Sequence, residues 1–181
     1  MLSARTKDES TLKAAKALFG RASTPAQIAR MEVGELERII KSVGFYRAKA
    51  RNLQALCRRL VSVHGGKVPS ALEGLISLPG VGRKTANIVL GQVFGKDAIA
   101  VDVHVHRISN RLGWAKTKKP GETETALMGK IPKKMWKVCN VAMVAFGQTV
   151  CTPRNPMCAE CPIKECCKRV GIPVRKRFPA G

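Results

Sequence analysis

Six residues in this chain have the types and spacing that chemistry needs: Lys84, Asp102, and the quartet Cys151, Cys158, Cys161 and Cys167. Lys84 closes the run Leu78-Pro79-Gly80-Val81-Gly82-Arg83-Lys84, at the expected start of a helix, beside Arg83 and near an apolar wall. Such a setting disfavours an ammonium ion and leaves a neutral amine able to attack a sugar carbon. A phosphate-binding lysine is the plainer alternative. Asp102 follows eighteen positions later. A carboxylate folded against that amine would steady a cationic sugar and help move protons. Its plain role is a helix cap.

The cysteines follow the pattern Cys-x6-Cys-x2-Cys-x5-Cys within seventeen residues, separated by the turn formers Pro153, Asn155, Pro156 and Pro162. Four soft ligands in one compact loop fit a [4Fe–4S] cluster. A structural zinc is the competing reading, but zinc ribbons pair two Cys-x2-Cys knuckles and only one is present. Cys166 is an alternative to Cys167 as the fourth ligand. Seven cysteines is an odd count with five of them between 151 and 167, which argues for metal ligation rather than a disulfide framework. Cys57 reads as core. Arg154, Lys164, Lys168 and Arg169 make the loop basic, suiting a DNA-facing surface.

These groups must be positioned by helices. Residues 70–77 read as a short helix opened by a Ser70–Glu73 capping box, 78–82 as a tight turn, and 83–94 as a second helix with Ala86, Val89, Leu90 and Val93 inward. In this helix-hairpin-helix, spanning about 70–94, Gly80 and Gly82 reach positive φ and admit a phosphate, while the amides of Val81 to Arg83 supply donors at a helix start. Such contacts grip DNA without reading its sequence. A bare Gly-x-Gly would equally suit a structural corner; the basic pair Arg83-Lys84 tips the balance. Leu36, Ile39, Ile40 and Val43 form one apolar stripe up to Gly44, and Leu53, Leu56, Cys57 and Leu60 another up to Gly65 and Gly66. Thr24-Pro25 reads as a helix start. Met135, Cys139, Ala142, Met143 and Phe146 read as packing. Ile99, Val101, Val103 and Val105 alternate like a strand, but Asp102 as N-cap and Gly113 as C-terminal cap favour loop, then helix. The chain shows no internal repeat; its linker-like stretch is 116–121, and a basic tail lies at 175–177.

Composition fits this picture. Thirty-three Lys and Arg against twelve Asp and Glu give a formal charge of +21, which calls for a polyanionic partner, nucleic acid ahead of a membrane surface. No apolar run is long enough to span a membrane and the amino end lacks a signal-peptide layout, so an intracellular, prokaryotic setting is expected.

With the runs LPGVGRKTAN (78–87) and VDVHVHRISNRLGW (101–114) and the cysteine spacing in hand, the chain resembles the endonuclease III family, iron–sulfur members of the helix-hairpin-helix Gly-Pro-Asp superfamily, from Leu2 to Cys167. The resemblance implies an all-α fold in two lobes: a helical barrel with the hairpin over 1–96, and a cluster lobe over 97–181 with its metal loop at 151–167. It implies a monomer binding damaged duplex DNA in the cleft between lobes, Lys84 and Asp102 as catalytic pair, and a [4Fe–4S] cofactor on Cys151, Cys158, Cys161 and Cys167. The implied activity is base-excision repair: removal of oxidised pyrimidines through a lysine Schiff base, then β-elimination. Gly80, Val81, Gly82, Arg83, His104 and Arg154 would contact DNA. Arg5 falls where the family fills the gap left by an extruded nucleotide, and Phe45 where it places an apolar wedge. Val103 replaces the family's Thr beside Asp102, which removes a hydroxyl from that site. Family members usually carry more sequence before Leu2-Ser3-Ala4, including a helix on the cluster lobe, so an exposed apolar patch is expected there. The alternatives are a catalytically idle iron–sulfur DNA-binding protein and a mismatch-specific glycosylase of the same fold without lyase activity, against which Lys84 argues.

Overall fold

The computed structural model describes residues 1–172; the basic tail 175–177 lies outside them. Among the described residues the regular elements are all helical. They are α1 (Asp8–Arg21), α2 (Pro25–Arg30), α3 (Val33–Ile39), α4 (Tyr46–His64), α5 (Leu72–Ile76), α6 (Arg83–Gln92), α7 (Val103–Leu112), α8 (Pro120–Met128) and α9 (Trp136–Thr149), with short 3-10 turns at Lys133–Met135 and Lys164–Cys166. The chain divides into two compact units, Met1–Ala86 and Asn87–Gly181.

In the first unit α4 packs on α2 and α3. Its core is built from Leu36, Ile40, Val43 and Cys57, which lie on the stripes that periodicity marks out, together with Leu18, Ile28 and Ala50. Leu36 and Ile40 are wholly buried, and each such side chain contributes roughly 1.5–3 kcal/mol. Thr24 caps α2: its Oγ1 accepts from the Gln27 amide and the Gln27 side chain returns a bond to the Thr24 amide. Gly65 ends α4 in the left-handed region, at φ 57°.

Three boundaries differ from the sequence expectations. The stripe of α3 leaves the helix at Ile39, well before Gly44, because the chain must turn to lay Gly44 against residues 5 and 6. The second is at α5, which begins at Leu72 with Ala71, rather than Ser70, as its N-cap. Within the helix Gly74 packs closely against the Pro69 ring, where a Cβ would stand 2.9 Å from Pro69 Cβ. Finally, α6 stops at Gln92 because Gly95, at φ 66°, folds the Lys96 amide back onto the Leu90 carbonyl. That leaves Val93 69% exposed rather than inward.

In the second unit α7 packs on α8 and α9. Asp102 N-caps α7 and Gly113 closes it at φ 76°, the loop-then-helix arrangement. The strand-like alternation before it has a cause. Ile99 and Val101 are buried in the core with Val105, Leu127 and Cys139. The Asn87 side-chain amide donates to the Ile99 carbonyl (2.9 Å) and the Asn140 amide to the Ala100 carbonyl (2.8 Å). Two asparagines thus satisfy an extended, buried backbone that a β-ladder would otherwise have to pair.

Candidate nucleic-acid interface and metal loop

The hairpin turn is built as its glycines require, with one exception. Gly80 is left-handed at φ 73°, and a Cβ there would stand 3.0–3.1 Å from Met1 and Asn52, so conformation and close packing both demand glycine. The exception is Gly82, which does not adopt positive φ. Its bare Cα faces open space, where a side chain would instead stand between the turn and an approaching phosphate. Gly82 gives its carbonyl to the Ala86 amide, opening α6. Arg83 and Lys84 are exposed on that first turn. The apolar wall expected beside Lys84 therefore does not enclose it.

In the same unit Arg5 and Phe45 are brought together. The Arg5 guanidinium lies over the Phe45 ring, 5.6 Å from its centroid, a cation–π contact. Both backbones are left-handed, at φ 53° and 57°, and the Phe45 side chain is 63% exposed. The Lys49 ammonium beneath them donates to the Leu2 carbonyl (2.7 Å), the Ala4 carbonyl (2.5 Å) and Thr6 Oγ1 (3.1 Å). Burial lowers the pKa of Lys49 from its ordinary value. Sequence reading passed over Lys49. Its signal was a lysine on the inward stripe of α4, four residues before Leu53.

In the second unit Asp102 Oδ1 accepts from the amides of His104 (2.9 Å) and Val105 (3.0 Å). Backbone amides, rather than a hydroxyl at 103, thus orient the carboxylate, and Val103 points into solvent at 69% exposure. His104 Nδ1 lies 3.1 Å from Arg107 Nη2. Arg107 also donates to the carbonyls of Gly147 (3.0 Å) and Cys151 (2.8 Å). Burial and the neighbouring Arg111 lower the pKa of Arg107, with Cys151 and Asp102 opposing. Gly147 is needed here, because a Cβ would fall 2.6 Å from His104 Nδ1.

Arg111, one turn on, clamps the cysteine loop. It donates to Cys151 Sγ (3.3 Å) and to the carbonyls of Thr152 and Pro153 (2.7 Å each). Its own carbonyl accepts from the Val170 amide and lies 3.6 Å from Cys167 Sγ. Both arginines were missed from sequence. Like charges four apart on a helix repel, so their spacing itself signalled shared acceptors. Cys151, Cys158, Cys161 and Cys167 are all free thiols, all partly buried, and line one small pocket with Phe146, Val150, Met157 and Ile163. Cys166 is exposed and outside that lining. The donor set of four soft sulfurs fits a thiolate-held cluster. Arg154, Lys164, Lys168 and Arg169 are exposed around the loop.

The stripe read as packing is so in part: Cys139 is buried and Met143 packs against its core, while the outer members border a groove. Ile108, Leu112, Trp114, Met135, Met143 and Phe146 line an open apolar groove in this unit, with Met135 and Trp114 partly in solvent. Among the described residues no helix is long and apolar enough to cross a membrane.

Residues 1–133 match the HhH-GPD superfamily of base excision DNA repair proteins. Over 168 residues the chain is 52% identical to endonuclease III of Thermotoga maritima, covering 93% of this chain and 79% of that one. Its fold is similar to a trapped endonuclease III–DNA covalent intermediate, an estranged-adenine complex, with a TM-score of 0.87, 43% identity, and 93% of this chain and 79% of that chain covered. It is also similar to a thermostable thymine-DNA glycosylase, at a TM-score of 0.81 and 26% identity, with the same coverage. The chain therefore belongs to the endonuclease III family of HhH-GPD base excision repair proteins.

Proposed function

We propose that this chain is a DNA glycosylase and abasic-site lyase that removes oxidised pyrimidines from duplex DNA, with Lys84 as nucleophile and Asp102 as the assisting carboxylate. The damaged nucleotide is extruded from the stack, at a cost of a few kcal/mol that is least for poorly stacked bases. The Lys84 amine attacks C1′ as the base departs with the glycosidic electron pair. Asp102 steadies the positive charge that develops on the sugar and relays protons. Ring opening gives a Schiff base to Lys84, and β-elimination breaks the C3′–O bond, nicking the strand 3′ to the lesion. Gly80, Val81, Gly82 and Arg83 hold the backbone through amides and charge, with His104 and Arg154 adding phosphate contacts. Arg5 fills the space left by the extruded nucleotide and Phe45 wedges the opposite strand.

Cys151, Cys158, Cys161 and Cys167 would hold a [4Fe–4S] cluster, which when bound would cross-link the loop that displays Arg154, Lys164, Lys168 and Arg169. Cys167 serves as the fourth ligand because it lines the pocket that Cys166 does not reach.

The observation that carries this reading is Lys84, exposed on the first turn of α6 directly after the glycine-built turn, in a chain 43% identical to an endonuclease III trapped covalently on DNA. Borohydride trapping on a duplex containing an abasic site or dihydrouracil is expected to give a covalent protein–DNA adduct, and Lys84→Ala to abolish it. Base release without any adduct would favour a glycosylase lacking lyase activity, and binding without either would mean an idle DNA-binding protein.

A further inference from the structure

The amino-terminal turn is fastened to α4 by more bonds than a chain end usually receives. Lys49 Nζ donates to three acceptors within the first six residues, namely the carbonyls of Leu2 and Ala4 and the hydroxyl of Thr6. An ammonium has three donors and no acceptor, so all of its capacity is used on this one turn. The Thr6 hydroxyl also accepts from the Gly44 amide at 3.1 Å, the residue directly before Phe45. A Cβ on Gly44 would stand 2.7 Å from the Arg5 carbonyl, so the two segments touch backbone to backbone. The side chains at the top of this stack, Arg5 and Phe45, both sit on left-handed non-glycine backbones, a strained conformation that persists only where surrounding structure enforces it.

We infer that Lys49 is a positioning residue that locks Arg5 and Phe45 into one rigid unit, so that the two side chains distort duplex DNA together rather than as independently moving groups. The inference rests on the reading that Arg5 and Phe45 enter the duplex, and it adds what makes their entry effective. A side chain that must push apart stacked bases transmits force only if its own backbone does not yield. Here Lys49 and Thr6 carry that load into α4, whose opposite end is buried in the core through Cys57 and Leu60. The geometry also specifies lysine: a planar guanidinium presents its donors in a flat fork and cannot aim at three acceptors gathered around a point.

Two substrates separate this role from a general loss of structure. The first is a duplex with dihydrouracil paired to guanine, with 2-aminopurine next to the lesion so that unstacking appears as fluorescence. The second carries an abasic site in a single strand, where no base pair has to be opened. In Lys49→Met, kcat on the paired duplex and the 2-aminopurine rise are expected to fall about tenfold, equivalent to about 1.4 kcal/mol of lost barrier lowering, while borohydride trapping on the single strand stays near that of the unaltered chain. Thr6→Val should show the same split to a smaller degree, and Lys49→Arg should not rescue it. Parallel losses on both substrates, or no loss on either, overturn the inference while leaving the glycosylase reading intact. If Lys49→Met fails to fold, as judged by circular dichroism, Thr6→Val decides in the same two ways. Failure of the unaltered chain to trap on either substrate would remove the glycosylase reading and this inference with it.

Discussion

Met1–Ala86, which carries Arg5, Phe45 and Lys84, has a buried apolar core in which Leu18, Leu36, Ile40 and Val43 are almost or entirely shielded. In Asn87–Gly181 the cysteine loop rests on charge and hydrogen bonds, with two arginines of α7 donating to the carbonyls of Gly147, Cys151, Thr152 and Pro153. An apolar groove beside that loop stays open to solvent. The first unit derives its shape from burial and uses polar bonds for fine placement. For the second unit's loop this order is reversed, since residues 151–172 contain little that is fully buried. A loop built so is more sensitive to lost donors and to lost ligands than to changes in apolar volume.

Substitutions can test that contrast. The largest stability effect is expected from Leu36→Ala: removing a wholly buried leucine costs about 2–5 kcal/mol. Thermal melting should show it, while the visible absorbance expected of the proposed cluster in the other unit is retained in the folded protein. A matching collapse of that absorbance in folded protein would mean that the loop depends on the first unit's core. Arg111→Ala should cost less, about 1.5–3 kcal/mol for a charged group with hydrogen bonds, and should act on the loop first. Iron loss to a chelator is then expected to accelerate with little change in far-ultraviolet ellipticity, and an unchanged rate would show that the clamp is dispensable. Thr24→Ala, which removes the cap of α2, should be smallest, near 1 kcal/mol, and should leave the chelation rate alone.

Much of this was legible in residue types. Gly80 of the turn, the stripes of α3 and α4, the cap at Asp102 and the αL end at Gly113 follow from local rules, and the structure reproduces them within a few residues. What escaped was set by contacts distant in sequence. Gly82 keeps an ordinary φ because the turn is completed at Gly80 alone. Phe146 and Met143 have helical spacing that suits a core, yet periodicity identifies an inward face without saying whether anything covers it. Lys49, Arg107 and Arg111 find their acceptors 40 or more positions away, and no local pattern reveals a partner at that range. Each nevertheless broke a local rule, either as a charge on an apolar stripe or as like charges one turn apart, and such violations mark where tertiary structure has intervened.

The two asparagine amides that occupy the carbonyls of Ile99 and Ala100 have a consequence for the protein's behaviour outside its native state. The segment Ala98-Ile99-Ala100-Val101 is apolar and extended, the type of sequence that templates intermolecular β-sheet when its backbone is bare. Asn87 and Asn140 act as gatekeepers by bonding rather than by charge. Replacing both with residues lacking an amide would turn a quiet strut into a sticky edge, and fibril-type aggregation during refolding would be its signature.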